Sequence, residues 1–325
     1  MTKETLSASR MTAFLACPRK HYYQYELGLE REESAPALRF GSAFHKALEA
    51  RANGATLEQA YEAAKADKRL DEPIELAKLY GLLCGYWNAY GSADGPIEQI
   101  AKMYPECAWT MEIPHSRTFQ HVGIIDGLAT LKDGRLAIVE HKTTGEDISP
   151  TADYWTRLQF NGQLFLYVLA ARANGWDVDT VIYDVIRKPA IRQKANETAA
   201  EYGERLAADA AARPDFYYAR REVAVLDSAI AEFEIQRDVI CKMLLHCKAA
   251  ARKAALPEQG WARNCNGLTC RNCDYAGFCM QCVHVDAAHV PAGFKLRAQS
   301  APTAPDATAG QAETPSVAAE VAAAI

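Results

Sequence analysis

An aspartate, a glutamate and a lysine near the middle of the chain have the types and spacing of a metal-dependent hydrolytic site. Asp126 lies in one apolar run, and Glu140 and Lys142 end the next. Because side chains on a strand point alternately to its two faces, Glu140 and Lys142 share a face. A hard cation such as Mg²⁺ would relieve the repulsion between two close carboxylates. Such an ion can polarise a phosphodiester, and the Lys142 ammonium can stabilise the developing charge.

The turn between the two strands decides whether Asp126 reaches this face. A three-residue loop at 132–134, ending in a left-handed glycine, is a common hairpin type and predicts Asp126 opposite Glu140. A two-residue loop would instead place Asp126 opposite His141, on the other face. On spacing alone, a surface hairpin with a salt bridge is an equally good interpretation of the pattern.

These residues and four further motifs resemble a known nuclease family. Asp126, followed by an apolar run and Glu140-x-Lys142-Thr, resembles the core of the PD-(D/E)XK nuclease superfamily. The RecB-like branch has additional marks, and between Ser7 and Cys279 this chain shows them in order: Ser7-x-Ser9 with Phe14-x-x-Cys17-Pro18-Arg19-Lys20-x-Tyr22-Tyr23, Gly41-x-x-x-His45, Gln163-x-x-x-Tyr167 and a C-terminal cysteine cluster.

The resemblance implies a set of metal ligands. In that branch the histidine of the Gly-x-x-x-His segment binds the catalytic ion, which implies that His45 joins Asp126 and Glu140 around Mg²⁺ or Mn²⁺. A lone histidine on a helix would otherwise be read as a surface or core residue.

The resemblance also assigns roles on the helix that follows the hairpin. Gln163 and Tyr167 are four residues apart, so they share one helix face. The family pattern implies that they contact the substrate backbone or Lys142. Gln159, one turn earlier on the same face, is a competing candidate.

The cysteine distribution points to a second metal site. Ten cysteines occur in a chain with no predicted export signal, where disulfides are not expected. Five of them fall within 18 residues, namely Cys265, Cys270, Cys273, Cys279 and Cys282.

Two ligand sets compete for this second site. The resemblance implies a [4Fe–4S] cluster held by Cys17, Cys270, Cys273 and Cys279, with Cys265 as an alternative to Cys270. The rival is a structural Zn²⁺ held by the pairs Cys270-x-x-Cys273 and Cys279-x-x-Cys282. The five-residue gap between those pairs is shorter than in common zinc ribbons, which favours iron–sulfur.

The elements that must position these residues are mostly helical, with strands in the middle. Periodicity predicts helices over 7–29, from about 41, over most of 56–92, and over 153–174, 195–212 and 222–250, and strands over 108–113, 121–131, 135–143 and 180–186. This order predicts an α/β fold with a small central mixed sheet flanked by helices and with helical insertions. We expect one nuclease domain over 1–297, whose terminal parts the cluster joins, and a disordered Ala/Pro-rich tail over 298–325.

Composition limits the function further. The net charge is −5, so DNA binding by bulk positive charge is disfavoured. No apolar run approaches the roughly 20 residues that span a bilayer, and we expect no membrane association and a cytoplasmic location.

The leading hypothesis is therefore a Mg²⁺- or Mn²⁺-dependent deoxyribonuclease, with exonuclease rather than site-specific activity implied by the branch. DNA is the expected partner, and a helicase or recombination protein is a further expected one. Two alternatives remain: a non-catalytic, metal-stapled DNA-binding or assembly subunit, and a structural zinc protein. The sequence does not indicate the oligomeric state.

Overall fold

The computed structural model describes residues 2–66, 70–91, 100–178 and 180–297. The tail predicted for 298–325 lies outside these residues. The described residues form two compact units, one drawn from 2–34, 110–123 and 227–297 and the other from 35–109 and 124–226. None of the described helices is both long and apolar enough to cross a membrane.

The described strands are β1 (Glu4–Leu6), β2 (Leu29–Arg31), β3 (Ile100–Glu112), β4 (Phe119–Leu131), β5 (Leu136–Thr144), β6 (Thr180–Arg187), β7 (Tyr218–Ala224) and β8 (Phe294–Leu296). The described α-helices are α1 (Ala8–Ala16), α2 (Pro18–His21), α3 (Pro36–Ala52), α4 (Leu57–Ala66), α5 (Pro73–Tyr90), α6 (Asp153–Thr156), α7 (Gly162–Ala173), α8 (Ala199–Ala212), α9 (Pro214–Tyr217), α10 (Asp227–Ala251), α11 (Gly267–Arg271) and α12 (Ala276–Met280).

The second unit is built on a mixed sheet, which confirms the predicted fold class. β4 pairs antiparallel with β5, β5 parallel with β6, and β6 antiparallel with β7. Strand β6 is an almost continuous apolar run and is buried over nearly its whole length, as expected for a strand covered on both faces. Helices α3, α4, α5 and α8 contribute a large apolar cluster against this sheet.

The hairpin that joins β4 to β5 has the predicted three-residue loop. Leu131 and Arg135 close it, with the Leu131 N–H donating to the Arg135 carbonyl at 2.8 Å. Gly134 has φ +89°, the left-handed value that this loop type requires. Pairing runs from Thr130 opposite Leu136 to Gly127 opposite Val139, the register that the loop predicts.

The first unit departs from the single helix predicted over 7–29. Helix α1 ends before Cys17, whose backbone is extended with φ −166°. Pro18 follows at the first position of α2. Proline suits the first turn of a helix but not its interior, so a new helix begins there. A π-helical turn and β2 follow, and β2 pairs antiparallel with β8.

The starts of two helices, α7 and α10, also differ from the prediction. In the first case a helix cap, and in the second the pairing of a strand, overrides the helical periodicity of the sequence. The helix predicted over 153–174 is interrupted at Asn161, whose side chain accepts a hydrogen bond from the Gln163 N–H at 2.9 Å and so caps α7. The helix predicted from 222 begins at Asp227, because 218–224 pair with β6.

Candidate active site

Every residue predicted for the hydrolytic site lies in the second unit. Helix α3 carries His45, β4 carries Asp126, β5 carries Glu140 and Lys142, and α7 carries Gln163 and Tyr167. The side chain of Gln159, the competing candidate, lies outside the part of the chain that the structure describes.

Glu140 lies at the centre of a hydrogen-bonded group. Its side chain is 1% exposed, and its Oε1 accepts from the Lys142 ammonium and, at 3.0 Å, from the Gln163 amide. Gln163 also donates to the Tyr167 hydroxyl at 2.8 Å. The sequence-predicted residues of β5 and α7 are therefore in direct contact, and Glu140 Oε2 is buried with no hydrogen-bond partner.

The charge of Glu140 is balanced between opposing influences. Burial acts to raise the pKa of its carboxyl, the Lys142 ammonium acts to lower it and the nearby Asp126 acts to raise it, and together they bring the pKa to about 7. A further positive charge beside this buried carboxylate would stabilise its ionised form.

Asp126 contacts both α3 and the backbone of β5. Its Oδ2 lies 3.6 Å from His45 Nδ1 and accepts the His141 N–H at 2.9 Å. Burial acts to raise the pKa of Asp126, but these two contacts outweigh it and hold the pKa below its usual range. Burial likewise acts to lower the pKa of His45, and the contact with Asp126 outweighs it, so that pKa is raised.

A residue that the sequence did not predict completes this group. Ligand atoms of His45, Glu106 and Asp126 all lie within 4.8 Å of one another. Burial, followed by the negative charges of Asp126 and Glu49, raises the pKa of Glu106. Glu106 lies before the predicted start of its strand and belongs to no recognised motif, so only its geometry identifies it.

The other face of β5 is held by a buried polar network. His141 Nδ1 is 2.8 Å from Asp184 Oδ2, and Asp184 is fully buried. Asp184 also accepts from the Tyr86 hydroxyl and, at 3.3 Å, from Arg220 Nε. From the sequence we expect no role for His141; in the structure its side chain is hydrogen-bonded to Asp184, and its backbone N–H donates to Asp126.

Part of the candidate site lines a cavity of about 560 Å³. The residues that line it include His45, Glu106, Asp126, Lys142 and Lys188. The Lys188 ammonium donates to the Ala37 carbonyl at 3.3 Å. The cavity thus combines acidic groups with ammonium groups, an arrangement suited to a cation and a phosphate.

The first unit contains a separate cavity of about 270 Å³ that six cysteines line. Cys17 is buried, Cys270, Cys273 and Cys279 are half-buried, and Cys265 and Cys282 are exposed. None of the six forms a disulfide.

Residues near the start of the chain and residues beyond 260 meet at this cavity. The Asn264 N–H donates to Cys17 Sγ at 3.4 Å. Burial raises the pKa of the Cys273 thiol, and the neighbouring Cys17 and Cys279 act in the same direction. Both Cys265 and Cys270 line the cavity, so the choice between them stays open.

The chain was compared with known protein families, curated sequences and solved structures. No curated protein sequence matches the chain. A structure from Eubacterium rectale, named as a candidate exonuclease, is 13% identical over 84% of this chain and 87% of that one, with a TM-score of 0.48. The structure of SSO0001 is 14% identical over 87% and 90% of the two chains, with a TM-score of 0.37. The model of the PD-(D/E)XK nuclease superfamily matches residues 5–280, most of the sequence, and the chain therefore belongs to that superfamily.

Proposed function

We propose that this protein is a Mg²⁺- or Mn²⁺-dependent deoxyribonuclease. The observation that carries the proposal is the buried Glu140–Lys142 pair beside the cluster of His45, Glu106 and Asp126. Family membership supports hydrolysis of phosphodiesters. The order of the RecB-like motifs supports an exonuclease, and DNA recombination, repair or phage DNA processing is the corresponding role.

The residues present fit a hard divalent cation. The group offers carboxylate oxygens and an imidazole nitrogen, and Glu140 Oε2 is buried without a partner. Oxygen-rich sites of this charge suit Mg²⁺ or Mn²⁺. His45, Asp126 and Glu140 would hold such an ion, which would supply polarisation of the phosphodiester and a more acidic bound water.

The side chains around the cation site have separable tasks. The Lys142 ammonium is one-third exposed and can donate to a phosphate oxygen on which charge develops. Gln163 keeps Glu140 oriented, and Tyr167 in turn holds Gln163. The His141 N–H fixes the rotamer of Asp126.

We further propose that the cysteine cavity holds a [4Fe–4S] cluster bound by Cys17, Cys270, Cys273 and Cys279. The two remaining cysteines that line the cavity are the more exposed ones, and the cavity of about 270 Å³ is far larger than one ion requires. Four thiolates are the usual ligands of such a cluster. A structural Zn²⁺ is the alternative. Metal binding by cysteines that form no disulfide fits a reducing compartment such as the cytoplasm.

Anaerobically purified protein incubated with DNA tests the activity. Linear DNA labelled at either end and closed circular DNA, each with Mg²⁺ or Mn²⁺, separate exonuclease from endonuclease action. We expect the wild type to degrade linear DNA and to spare the circle, and Asp126→Asn and Glu140→Gln to abolish cleavage. DNA binding without cleavage under all these conditions would instead support a non-catalytic subunit.

A further inference from the structure

We infer that Glu106 is a protein ligand of the cation in this site, alongside His45 and Asp126. The inference rests on the proposed metal-dependent function and deepens it. It adds a carboxylate that the linear motif does not contain.

The first argument is proximity between groups that would otherwise repel. One ligand atom from each of His45, Glu106 and Asp126 lies within 4.8 Å of the others. His45 Nδ1 lies 3.6 Å from Asp126 Oδ2, so these two side chains already contact each other. The Glu106 carboxylate, by contrast, makes no hydrogen bond or ion pair within the described residues. Two half-buried carboxylates this close are stabilised when a cation lies between them.

The second argument does not involve Glu106 and concerns the buried Glu140 carboxylate, which a nearby positive charge would stabilise. The Glu140 carboxylate is 1% exposed, and its Oε2 has no partner. It is close enough to Asp126 and His45 for both to influence its charge. A buried carboxylate oxygen left unpaired is costly, so the region is completed by a cation rather than by the protein alone.

The backbone at Glu106 is consistent with this role. Its φ is +49°, in the left-handed region that residues other than glycine rarely adopt. The neighbouring Cys107 donates through Sγ to the Tyr104 carbonyl at 3.2 Å. Local distortions of a strand re-aim a side chain, and here the re-aimed side chain lines the cavity that contains His45 and Asp126.

With this ligand, the cation would be held from four separate elements, because the proposed ligand Glu140 lies on β5. His45 comes from α3, Glu106 from β3 and Asp126 from β4. Glu140 Oε1 stays paired with Lys142. Loss of Glu106 should therefore weaken the hold on the ion without disturbing the Glu140–Lys142 pair.

The test measures Mn²⁺ binding to the full chain without DNA, by titration calorimetry and by the paramagnetic resonance of free Mn²⁺. Glu106→Gln keeps the size of the side chain and removes its charge. We expect its Mn²⁺ affinity to fall about tenfold or more, since even residues one step removed from a metal change affinity by 10–100-fold. Glu106→Asn, which tolerates a left-handed backbone better, is a second variant with the same expectation.

Glu49→Gln is the matched control. Glu49 is close enough to influence Glu106, but its carboxylate is paired with Lys46 at 2.8 Å and lies outside the three-residue group. We expect less than about threefold loss of affinity, because a charge at the edge of a site acts only through a screened field.

The outcomes separate this inference from the proposed function. Equal Mn²⁺ affinity in Glu106→Gln and wild type, or equal losses in Glu106→Gln and Glu49→Gln, would overturn the assignment of Glu106 even if the wild type cleaves DNA. A wild type that binds Mn²⁺ but cleaves no DNA would remove the nuclease proposal, and a selective loss in Glu106→Gln would still establish the ligand.

Discussion

Lys142 and Glu140 form the residue pair on which the proposed chemistry depends most directly. The Lys142 ammonium donates to Glu140 Oε1 and lies 3.4 Å from Gln163 Oε1. Lys142 acts to lower the pKa of Glu140, although burial outweighs it and keeps that pKa raised. In the proposed mechanism the ammonium would therefore act on the substrate phosphate as well as on the charge of Glu140.

We expect Lys142→Ala to reduce DNA cleavage by about 10²–10³-fold, the usual cost of losing one well-placed electrostatic group. Mn²⁺ affinity should stay within about threefold of wild type, because an ammonium is not a metal ligand. Single-turnover cleavage and calorimetry measure the two effects. Lys132→Ala, in the exposed hairpin loop, is the control and should leave both unchanged. Wild-type cleavage by Lys142→Ala would remove Lys142 from the catalytic assignment.

At this scale the sequence could predict the residues whose positions follow from local rules. The alternation of a strand places Glu140 and Lys142 together, and helical spacing places Gln163 beside Tyr167. Glu106 could not be predicted, because its position depends on a left-handed backbone inside a strand. Such conformations are set by tertiary packing rather than by residue type.

Among the elements, the β4–β5 hairpin determines whether the two site carboxylates meet. Gly134 has φ +89°, and a Cβ added there would meet nothing within 4 Å. A substitution at this position therefore tests backbone conformation without steric clash. The hairpin could be predicted because its turn residues indicate the loop type. Strand β7 could not be predicted, because its pairing with β6 overrides a local sequence pattern that favours helix.

We expect Gly134→Ala to lower the free energy of unfolding by about 1 kcal/mol, because alanine disfavours the left-handed region. Gly145→Ala is the matched control: that glycine is exposed, has no left-handed φ and has open space around it. It should be neutral or slightly stabilising, since alanine restricts the unfolded chain. Urea denaturation with unchanged m-values measures both. Equal effects of the two substitutions would contradict the loop assignment.

The contact between β1 and β4 in the first unit contains a buried histidine that makes stability depend on pH. His121 is fully buried, and its Nδ1 is 2.7 Å from the Leu6 carbonyl. Burial lowers the pKa of His121 to about 4, although the hydrogen bond to Leu6 acts in the opposite direction. The unfolded chain binds this proton near pH 6.5, so the stability associated with neutral His121 is present above pH 6.5 and is lost as pH falls towards 4.

We expect the wild type to lose about 3 kcal/mol more stability than His121→Gln between pH 7 and pH 4, since each pKa unit corresponds to about 1.4 kcal/mol. Glutamine can donate to the Leu6 carbonyl and does not titrate. Denaturation curves at a series of pH values measure the difference. His246→Gln, at an exposed position of α10, should follow the wild type. Parallel pH profiles for wild type and His121→Gln would show that His121 is not the group responsible.

Across the whole molecule, the first unit joins residues from near the start of the chain to residues beyond 260. Arg19 donates through its N–H to the Ala262 carbonyl at 2.9 Å and through Nε to the Trp261 carbonyl at 3.0 Å. The rings of His21 and Trp261 stack with centroids 5.2 Å apart. These contacts do not need a metal, so a cluster bound by Cys17 would add to an existing interface rather than create it.

We therefore expect loss of the proposed cluster to loosen the first unit without unfolding the second. Anaerobically purified wild type should be brown, with close to four irons per chain, because iron–sulfur clusters absorb visible light. Cys17→Ala should be colourless, and hydrogen exchange should quicken around 264–283 but not in β5, which belongs to the other unit. Cys282→Ala, at an exposed cysteine of the same cavity, should stay brown. Zn²⁺ is colourless. A colourless wild type that contains one zinc, and whose zinc binding requires Cys282 but not Cys17, would therefore support a local zinc site instead of the cluster.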